Sequence, residues 1–459
     1  MADTQILWFR QDLRLADQAA VAAAAAAGPV VAVYVLDEET PGDWRIGGAQ
    51  RWWLHHALIA LAGDLQRHGV PLILRRGRAG TVLAEVAAAT GARTVHALHH
   101  HEPFAKLQEE EVAQALELRL HHGNYLLPPG TVRTGSGSRF RIFTPFWRAM
   151  LGHMPPAPPR PAPAAITAAA SQPPSDDLAG WHLLPTRPDW SGGFDWTPGS
   201  AGAAAELDRF ARVAHGYGEG RNVPGEVLTS RLSPHLHFGE ISVATVYARI
   251  AEAAGDAAEP FLRELGWRDF ATNLIDQFPE SADAPQRAEF ARLPFTDVTS
   301  LDGAEALHAW QRGQTGYPLV DAGMRQLWAT GWLHNRVRMV AASFLIKHLL
   351  IDWRLGSHFF WDTLVDADLG SNTLGWQWSL GSGVDSQPFY RIMAPVTQSS
   401  KFDAAGSYIR RWVPELASVP DHQIHAPWEH GGVRGYPEPI VDHATARRRA
   451  LAAYERSKA

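Results

Sequence analysis

The chain has 459 residues, a formal net charge of −6 and no cysteine. The lack of cysteine excludes disulfides, thiolate metal sites and a cysteine nucleophile, and the negative charge argues against a generally basic nucleic-acid binder without excluding a local basic face. The length predicts more than one domain. The 18 tryptophans fit either an aromatic-rich core or a protein that handles aromatic ligands or electrons.

In the first 130 residues, short apolar runs alternate with segments of helical length. The predicted buried strands are 6–9, 30–37, 71–77 and 94–98, and the predicted helices lie near 16–27, 49–68, 79–90 and 104–121. This alternation predicts a doubly wound, Rossmann-like parallel sheet in an α/β domain over 1–130. Ligands of such sheets bind beyond the carboxyl ends of the strands.

The rest of the chain changes character twice. Residues 131–202 are predicted to form an interdomain linker, because their second half is rich in Pro, Gly, Ser and Ala. From 203 to 459 helical spacing dominates, which predicts an all-α domain. We find neither a signal-peptide pattern nor an uncharged apolar stretch of ~18 residues, so we expect a cytoplasmic protein that does not span a membrane.

Two stretches of the helical part carry polar groups near a helix start or along one helix face. TSRLS (229–233) offers hydroxyl groups before a helix, which suits a phosphate, although an ordinary N-cap is the alternative. Glu264, Trp267 and Arg268 are spaced to share a helical face. That spacing suits either a binding site or a surface ion pair beside a core indole.

Two further stretches complement each other in charge. Asn335 and Arg338 share one face of a helix that we expect to be buried, whereas Arg336 points elsewhere and is free for a phosphate. A buried arginine needs an anionic partner, and Asp366 or Asp368 can supply it.

The remaining polar patterns are less specific. Residues 366–377 fail the EF-hand pattern, since Ser371 and Gln377 replace its Gly and Glu. The stretch 387–401 interleaves aromatic and basic residues, as nucleic-acid contacts do, with a solvated loop as the alternative. The histidine run 99–101 predicts no metal site, because consecutive side chains diverge in direction.

These motifs, taken in order, resemble the photolyase/cryptochrome family of flavoproteins over nearly the whole chain. The resemblance is carried by WFRQDLRL (8–15), TPFW (144–147), TSRLS, ELGWRDF, TGYPLVDAGMRQLWATGWLHNRVRM (315–339), DWR (352–354), DADLGSNTLGWQWS and KFD (401–403). It implies that the all-α domain binds FAD in a folded, U-shaped conformation.

The resemblance also implies roles for individual residues. Asn372 would lie at flavin N5, where its amide oxygen can accept a hydrogen bond from a reduced flavin, and Trp376 followed by Trp353 would pass electrons to the flavin. The implied FAD-binding positions are Tyr217, Thr229, Ser230, Arg231, Leu232, Ser233, Arg268, Arg338, Asp366, Ala367, Asp368 and Asn372.

The implied activity is light-driven repair of cyclobutane pyrimidine dimers in UV-damaged DNA, with the dimer flipped out of the duplex. The implied catalytic positions are Glu264, Trp267, Asn335, Met339, Asn372 and Trp378. The implied DNA contacts are Arg221, Trp267, Asn335, Arg336, Arg391, Gln398 and Lys401. We expect a monomer in the bacterial cytosol or nucleoid.

Alternatives remain within the family. One is repair of the (6-4) photoproduct, although Asn335 and Met339 resemble the dimer-specific kind; another is a cryptochrome, which signals instead of repairing. A flavin oxidoreductase lacks support, since no nicotinamide fingerprint occurs.

Two features of the family are open in this chain. The third tryptophan of the usual electron chain falls at Ser300, so Trp361, Trp332 or Tyr317 are candidates for an outer donor. A second, antenna chromophore (folate, deazaflavin or flavin) is possible, with Glu102 as a candidate ligand or simply a helix-start carboxylate.

Overall fold

The structure is a computed structural model that describes residues 3–386 and 390–458. Its N-terminal part is a sheet of five parallel strands in the order β3-β2-β1-β4-β5. The strands are β1 (Gln5–Phe9), β2 (Val30–Leu36), β3 (Leu72–Arg76), β4 (Thr94–Leu98) and β5 (Glu117–His121). The predicted doubly wound sheet is confirmed.

Four helices cover both faces of this sheet. They are α1 (Ala19–Ala27), α2 (Gly48–Gln66), α3 (Ala79–Thr90) and α4 (Pro103–Ala115). Apolar residues of α1 and α2 form the core on one face, and those of α3 and α4 form the core on the other. Because both faces are covered, the inner strands are apolar without alternation.

The predicted helix 104–121 is wrong at its end. Helix α4 stops at Ala115, and Glu117–His121 forms the edge strand β5, in which Leu118 lies opposite Val95 of β4. The sequence ELRLH alternates polar and apolar side chains, as expected of a half-exposed strand. Pairing with β4 therefore decides its conformation over its helical preference.

The segment between the domains packs against both of them. Helix α5 (Phe143–Met150) contributes Phe146 and Trp147 to a core shared with the helical part. Further along, Ile166 and Trp181 are buried against the sheet domain. This Pro-rich segment therefore has no core of its own but is fixed along its length by its two neighbours.

The described residues of the C-terminal part form thirteen α-helices, joined by loops and short 3-10 and π-helical turns. They are α6 (Ser200–Ala211), α7 (Tyr217–Gly220), α8 (Ser233–His237), α9 (Val243–Ala254), α10 (Glu259–Gln277), α11 (Leu301–Arg312), α12 (Pro318–Thr330), α13 (Asn335–Ser343), α14 (Trp353–Thr363), α15 (Leu369–Leu380), α16 (Pro395–Phe402), α17 (Ser407–Trp412) and α18 (His443–Lys458). Among the described residues, no helix has both the length and the apolar character needed to cross a membrane.

Buried polar contacts join the two parts. Arg14 is 2% exposed and donates to Asn124 Oδ1 at 2.9 Å and to the Gly239 carbonyl at 2.8 Å. Trp53 of α2 donates its indole N–H to Glu240 at 2.9 Å. These contacts are buried and fully paired, so they fix the start of the helical part against the sheet domain.

Candidate functional site

The ion pair predicted between α13 and the start of α15 is present. Nη2 of Arg338 lies 2.8 Å from both carboxylate oxygens of Asp366, which is buried. Asp368 caps α15 by accepting from the Ser371 N–H at 2.7 Å. One carboxylate is thus committed to a cation and the other to a helix N-terminus.

Asn372 and Trp376 lie one turn apart on α15. The Asn372 amide donates to Ser357 Oγ at 3.0 Å, and no described residue donates to its Oδ1. Trp376 is 2% exposed and packs on Gly356 of α14, where an added Cβ would lie 2.2 Å from the indole. The amide oxygen is therefore free for a ligand N–H, while the indole behind it is fixed.

The stretch 229–233 forms a turn that is bound by two residues from earlier in the chain, Arg209 and Asp195. Arg209 donates to the carbonyl of Thr229 at 2.8 Å, and Arg231 adopts a positive φ of 53°. The Arg231 side chain pairs with Asp195 at 2.9 Å and lies 4.1 Å from the Trp196 ring centroid. A ligand here would meet the backbone of Arg231 and the exposed hydroxyl of Ser233, the first residue of α8.

Nearby, Tyr217 and Leu232 are buried. The Tyr217 ring packs edge-on against Phe261 at 5.3 Å, and burial raises the pKa of its hydroxyl. Ala367, between the two aspartates, is buried as well.

Glu264 and Trp267 occupy one face of α10, as the spacing predicts. The Glu264 carboxylate pairs with Arg221 at 2.7 Å, and burial raises its pKa although Arg221 opposes the shift. Trp267 is half-buried and stacks on Phe143 of α5 with ring centroids 3.6 Å apart. This face of α10 therefore carries an indole and a carboxyl group that protonates more readily than an exposed one.

Arg268 does not share that environment. Its guanidinium donates to the carbonyls of Asn124 and, at 3.1 Å, of Leu236, and lies 4.9 Å from the Tyr125 ring centroid. Arg268 lies four residues after Glu264 on α10, as the spacing predicts, but its guanidinium is bound by one carbonyl of the sheet domain, that of Asn124, and one carbonyl of α8, that of Leu236.

A basic cluster lies at the start of α13. Burial lowers the pKa of Arg336, and the charges of Arg391 and Arg221 lower it further, which means that the three cations lie near one another. Arg336 donates to Asn222 Oδ1 at 2.6 Å and lies 4.4 Å from the Phe402 ring centroid. Sequence reasoning missed Asn222 and Phe402, although each directly follows a residue that it had selected.

The other predicted lesion and DNA residues are partly accessible. Asn335 is exposed at the first position of α13, and Met339 is half-buried against the main helical core. The half-buried Trp378 lies 5.8 Å from the Arg391 guanidinium, measured from its ring centroid. Lys401 is exposed.

Gln398 is half-buried, and its Oε1 lacks a hydrogen-bond partner among the described residues. An unpaired buried acceptor is unusual and is consistent with a site for a ligand donor. Gln387, Pro388 and Phe389, which belonged to the aromatic and basic stretch, lie outside the described residues.

The electron-transfer candidates are mostly buried. Trp353 is 1% exposed, while Ser300 is an exposed N-cap of α11 whose Oγ accepts from the Gly303 N–H at 3.2 Å. Of the possible outer donors, Trp361 is buried and contacts Trp44 at 5.2 Å between ring centroids.

The other two outer candidates differ in exposure. Tyr317 is buried and lies 5.2 Å from Trp428, and Trp332 is half-buried. Sequence reasoning did not select Trp44, because only the fold brings it from the sheet domain to α14.

Glu102 lies at the contact between the domains. Its side chain is 12% exposed, and its pKa is raised by burial and by the charge of Asp368.

An open cleft of about 480 Å³ lies elsewhere, near the carboxyl ends of β2 and β3. It is lined by Glu38, Arg45, Ile46, Gly48, Arg51, Arg76 and Asp362. Sequence reasoning missed this cleft, although the rule for parallel sheets indicates that edge.

The histidine run is part of a hydrogen-bonded network. His99 contacts Glu109 at 2.6 Å, and His101 lies 3.8 Å from Asp276. Within 3–386 and 390–458, no group of three or more His, Cys, Asp or Glu side chains is arranged to hold a metal ion.

Comparisons with known proteins match both parts of the chain. The profile described as DNA photolyase matches residues 5–164, and the one described as the FAD binding domain of DNA photolyase matches 261–456. A deoxyribodipyrimidine photo-lyase of Agrobacterium fabrum is 45% identical, covering 98% of this chain and 97% of the relative. Cryptochrome-1 of Arabidopsis thaliana is 36% identical, and the match covers 96% of this chain and 69% of the cryptochrome.

A solved structure extends this similarity to the fold. A bacterial class III photolyase from Agrobacterium tumefaciens superimposes with a TM-score of 0.94 at 44% identity, covering 100% of this chain and 98% of that one. Similarity at this level spans both domains and the segment between them. The chain belongs to the photolyase/cryptochrome family and carries its FAD-binding domain.

Proposed function

We propose that the protein repairs cyclobutane pyrimidine dimers in DNA with light, by electron transfer from excited, reduced FAD to a dimer flipped out of the duplex. The main support is the Glu264–Trp267 pair: a half-buried carboxyl group with a raised pKa beside an indole held by Phe143. A flipped pyrimidine pair requires both apolar walls and hydrogen-bond partners for its polar edges.

The residues around α15 fit FAD. The free Oδ1 of Asn372 can accept from a flavin N–H, and the Arg338–Asp366 pair offers both a cation and a carboxylate to the polar edge of the ring. The turn 229–233 and Tyr217 are assigned to the diphosphate side, where a helix start favours negative charge. Bound, reduced FAD supplies the electron that light transfers to the dimer.

The chain's own residues hold the lesion. Trp267, Trp378 and Met339 provide apolar walls, and Glu264 and Asn335 provide hydrogen bonds to carbonyl and imide edges. A protonated Glu264 could donate to a carbonyl, and its raised pKa makes that form more accessible. Trp376 and Trp353 would supply electrons when the cofactor has become oxidised.

The duplex is held through its backbone. Arg336, Arg391 and Lys401 are the proposed phosphate contacts, supported by Gln398 and by Asn222. Such contacts position DNA without reading its sequence, which suits an enzyme that acts wherever damage occurs. We assign Arg221 to the same DNA-binding face, where its guanidinium also forms an ion pair with Glu264.

The two rivals make different predictions. A (6-4) photolyase would repair only the other photoproduct, and a cryptochrome would bind FAD without repairing either. The experiment is to illuminate the FAD-loaded, reduced protein with oligonucleotides that carry one defined lesion each. We expect restoration of thymines from the cyclobutane dimer in light, none in the dark and none from the (6-4) product. Repair of the (6-4) product alone, or of neither, contradicts the proposal.

Several broader assignments accompany this function. We propose that the protein acts as a monomer in the bacterial cytosol or nucleoid and divides into an α/β domain (1–130), a connecting segment (131–202) and the FAD-binding domain (203–459).

We assign any second chromophore to the arginine-lined cleft near β2 and β3, because Glu102 is largely buried. Absorption spectra of pigments released from parent and Arg51→Ala protein test this assignment; unchanged pigment content in the variant contradicts it.

A further inference from the structure

Lys347 is a buried lysine outside the site described above. It is 2% exposed and belongs to a π-helical turn, Phe344–His348, that continues from α13. Burial and the charge of Arg391 lower its pKa to about 7, and no acidic side chain contributes to the shift. Burying an ammonium group without a carboxylate is costly, so the partners that it does have are informative.

Those partners belong to one short backbone segment. The Lys347 ammonium donates to the carbonyl of Arg391 and lies 4.4 Å from the Tyr390 ring centroid. One turn earlier, Ser343 Oγ accepts from the Met393 N–H at 3.3 Å. Two side chains, four residues apart on one helical surface, therefore hold the segment at residues 391 and 393.

The side chain of Arg391 is left free by this arrangement. Arg391 is exposed, its guanidinium lies over the Trp378 ring, and it has no carboxylate partner in the described part of the chain. Fixing the backbone of a long side chain lowers the entropy that it loses when it binds a partner. The arrangement thus presents a cation beside an indole that we assign to the lesion cavity.

We propose that Lys347 is a positioning residue for DNA binding: together with Ser343 it fixes residues 390–393, so that Arg391 meets a backbone phosphate next to the flipped dimer. The inference rests on the proposed function, which supplies the DNA. It involves no electron-transfer step, so binding in the dark can test it separately.

The test is a double-mutant cycle read by affinity for dimer-containing duplex DNA across salt concentrations. We expect Arg391→Ala to lower affinity about tenfold and to reduce the slope of log K against log salt by about 0.9, the value for one phosphate contact. Lys347→Met should have the same effect, and the double variant should bind no more weakly than Arg391→Ala alone, because Lys347 acts through Arg391.

Two controls separate positioning from general damage. Lys347→Gln keeps an N–H donor for the carbonyl and should retain most of the affinity. Lys106→Met makes the same substitution on α4, where the lysine pairs with Asp276, and should keep the parent's slope. FAD content and thermal midpoint are measured for every variant; if Lys347→Met does not fold, Ser343→Ala takes its place in the cycle with the same expected non-additivity.

Additive losses in the double variant, or parental affinity and slope in Arg391→Ala, overturn the positioning role. A parent protein that does not prefer dimer-containing over undamaged DNA contradicts the proposed function itself. The two failures are therefore distinguishable within one experiment.

Discussion

The Glu264 carboxylate lies 2.7 Å from the guanidinium of Arg221, which joins α10 to the residue that follows α7. The sequence had suggested separate roles for them, one at the lesion and one at a phosphate. Under the proposed function, a DNA phosphate that binds Arg221 would compete with Glu264, the group that we assign to the dimer. Binding of a phosphate to Arg221 would release Glu264 to face the lesion.

Replacing Glu264 should impair repair more than binding. Glu264→Ala removes a hydrogen-bond partner of the dimer and frees Arg221, so we expect a lower repair yield per absorbed photon and nearly unchanged or tighter DNA binding. The lost hydrogen bond contributes about 0.5–1.5 kcal/mol if Glu264 is protonated and about 1.5–3 kcal/mol if it is ionised. Glu264→Gln, which keeps a carbonyl oxygen and gains an amide donor, should recover part of the yield. Equal yields in the parent and Glu264→Ala would contradict the role at the lesion.

Light-driven reduction of the oxidised flavin should depend on Trp353, and its rate should be limited because Ser300 occupies the position of the usual outer tryptophan. Trp353 is buried, and the exposed Ser300 cannot relay an electron from a solution reductant. We expect Trp353→Phe to slow photoreduction strongly, and either Trp361→Phe or Trp332→Phe to slow it as well. Parental rates in Trp353→Phe would mean that the route through Trp376 and Trp353 is wrong.

Installing an indole at the outer position provides the converse test. Ser300→Trp should accelerate photoreduction, at a cost of about 1 kcal/mol for the lost N-cap. The rate is followed by flavin absorbance under blue light with an external reductant. No acceleration, in a variant with the parent's FAD content, would indicate that the outer donor lies elsewhere.

Gly356 should be irreplaceable because Trp376 occupies the space of its missing side chain. An added Cβ would lie 2.2 Å from the indole and 2.5 Å from Leu345. Overpacking a core by one methyl costs about 1–3 kcal/mol, so Gly356→Ala should lower the thermal midpoint and slow photoreduction. The matched control is Gly63→Ala on α2, where an added Cβ would have no described atom beyond its own helix backbone within 4 Å, and this variant should be neutral or stabilising. Equal thermal midpoints for the two variants would contradict the packing argument.

Stability should depend on the ionisation of Asp269. This buried residue of α10 accepts hydrogen bonds from the backbone N–H groups of Leu126 and Leu127, and burial raises its pKa to about 7. The folded state therefore holds a proton that the unfolded state releases near its ordinary pKa of about 3.9. Its contribution to stability is full below that value and is lost as the pH rises through about 7.

The measurement is the free energy of unfolding between pH 4 and 8 for the parent and Asp269→Asn. The parent's stability should fall with rising pH relative to the variant, which cannot titrate at this position. At low pH the Asp269→Asn variant should also be less stable than the parent, because the NH₂ group of the new side chain would face a backbone N–H. Parallel pH profiles would show that Asp269 is ionised in the folded state throughout.

The sequence alone determined features that depend on local pattern. The alternation of apolar runs with helical segments specified the parallel sheet, because strands buried on both faces must be apolar throughout. That Arg338 would meet Asp366 or Asp368 followed from a cation on an apolar helix, which requires an anion, and the structure selects Asp366. The order of the motifs specified the family.

Tertiary structure decided which partner each side chain meets. Arg268 could have paired with Glu264, but it donates to the Asn124 carbonyl of the sheet domain and to the Leu236 carbonyl of α8. Glu117–His121 forms a strand because β4 offers an open edge. Asn222 and Phe402 reach the basic cluster only through the packing of distant helices. Helical spacing fixes the face on which a side chain lies, whereas the hydrogen-bond partners available there come from segments far away in the chain, and their positions depend on the whole core.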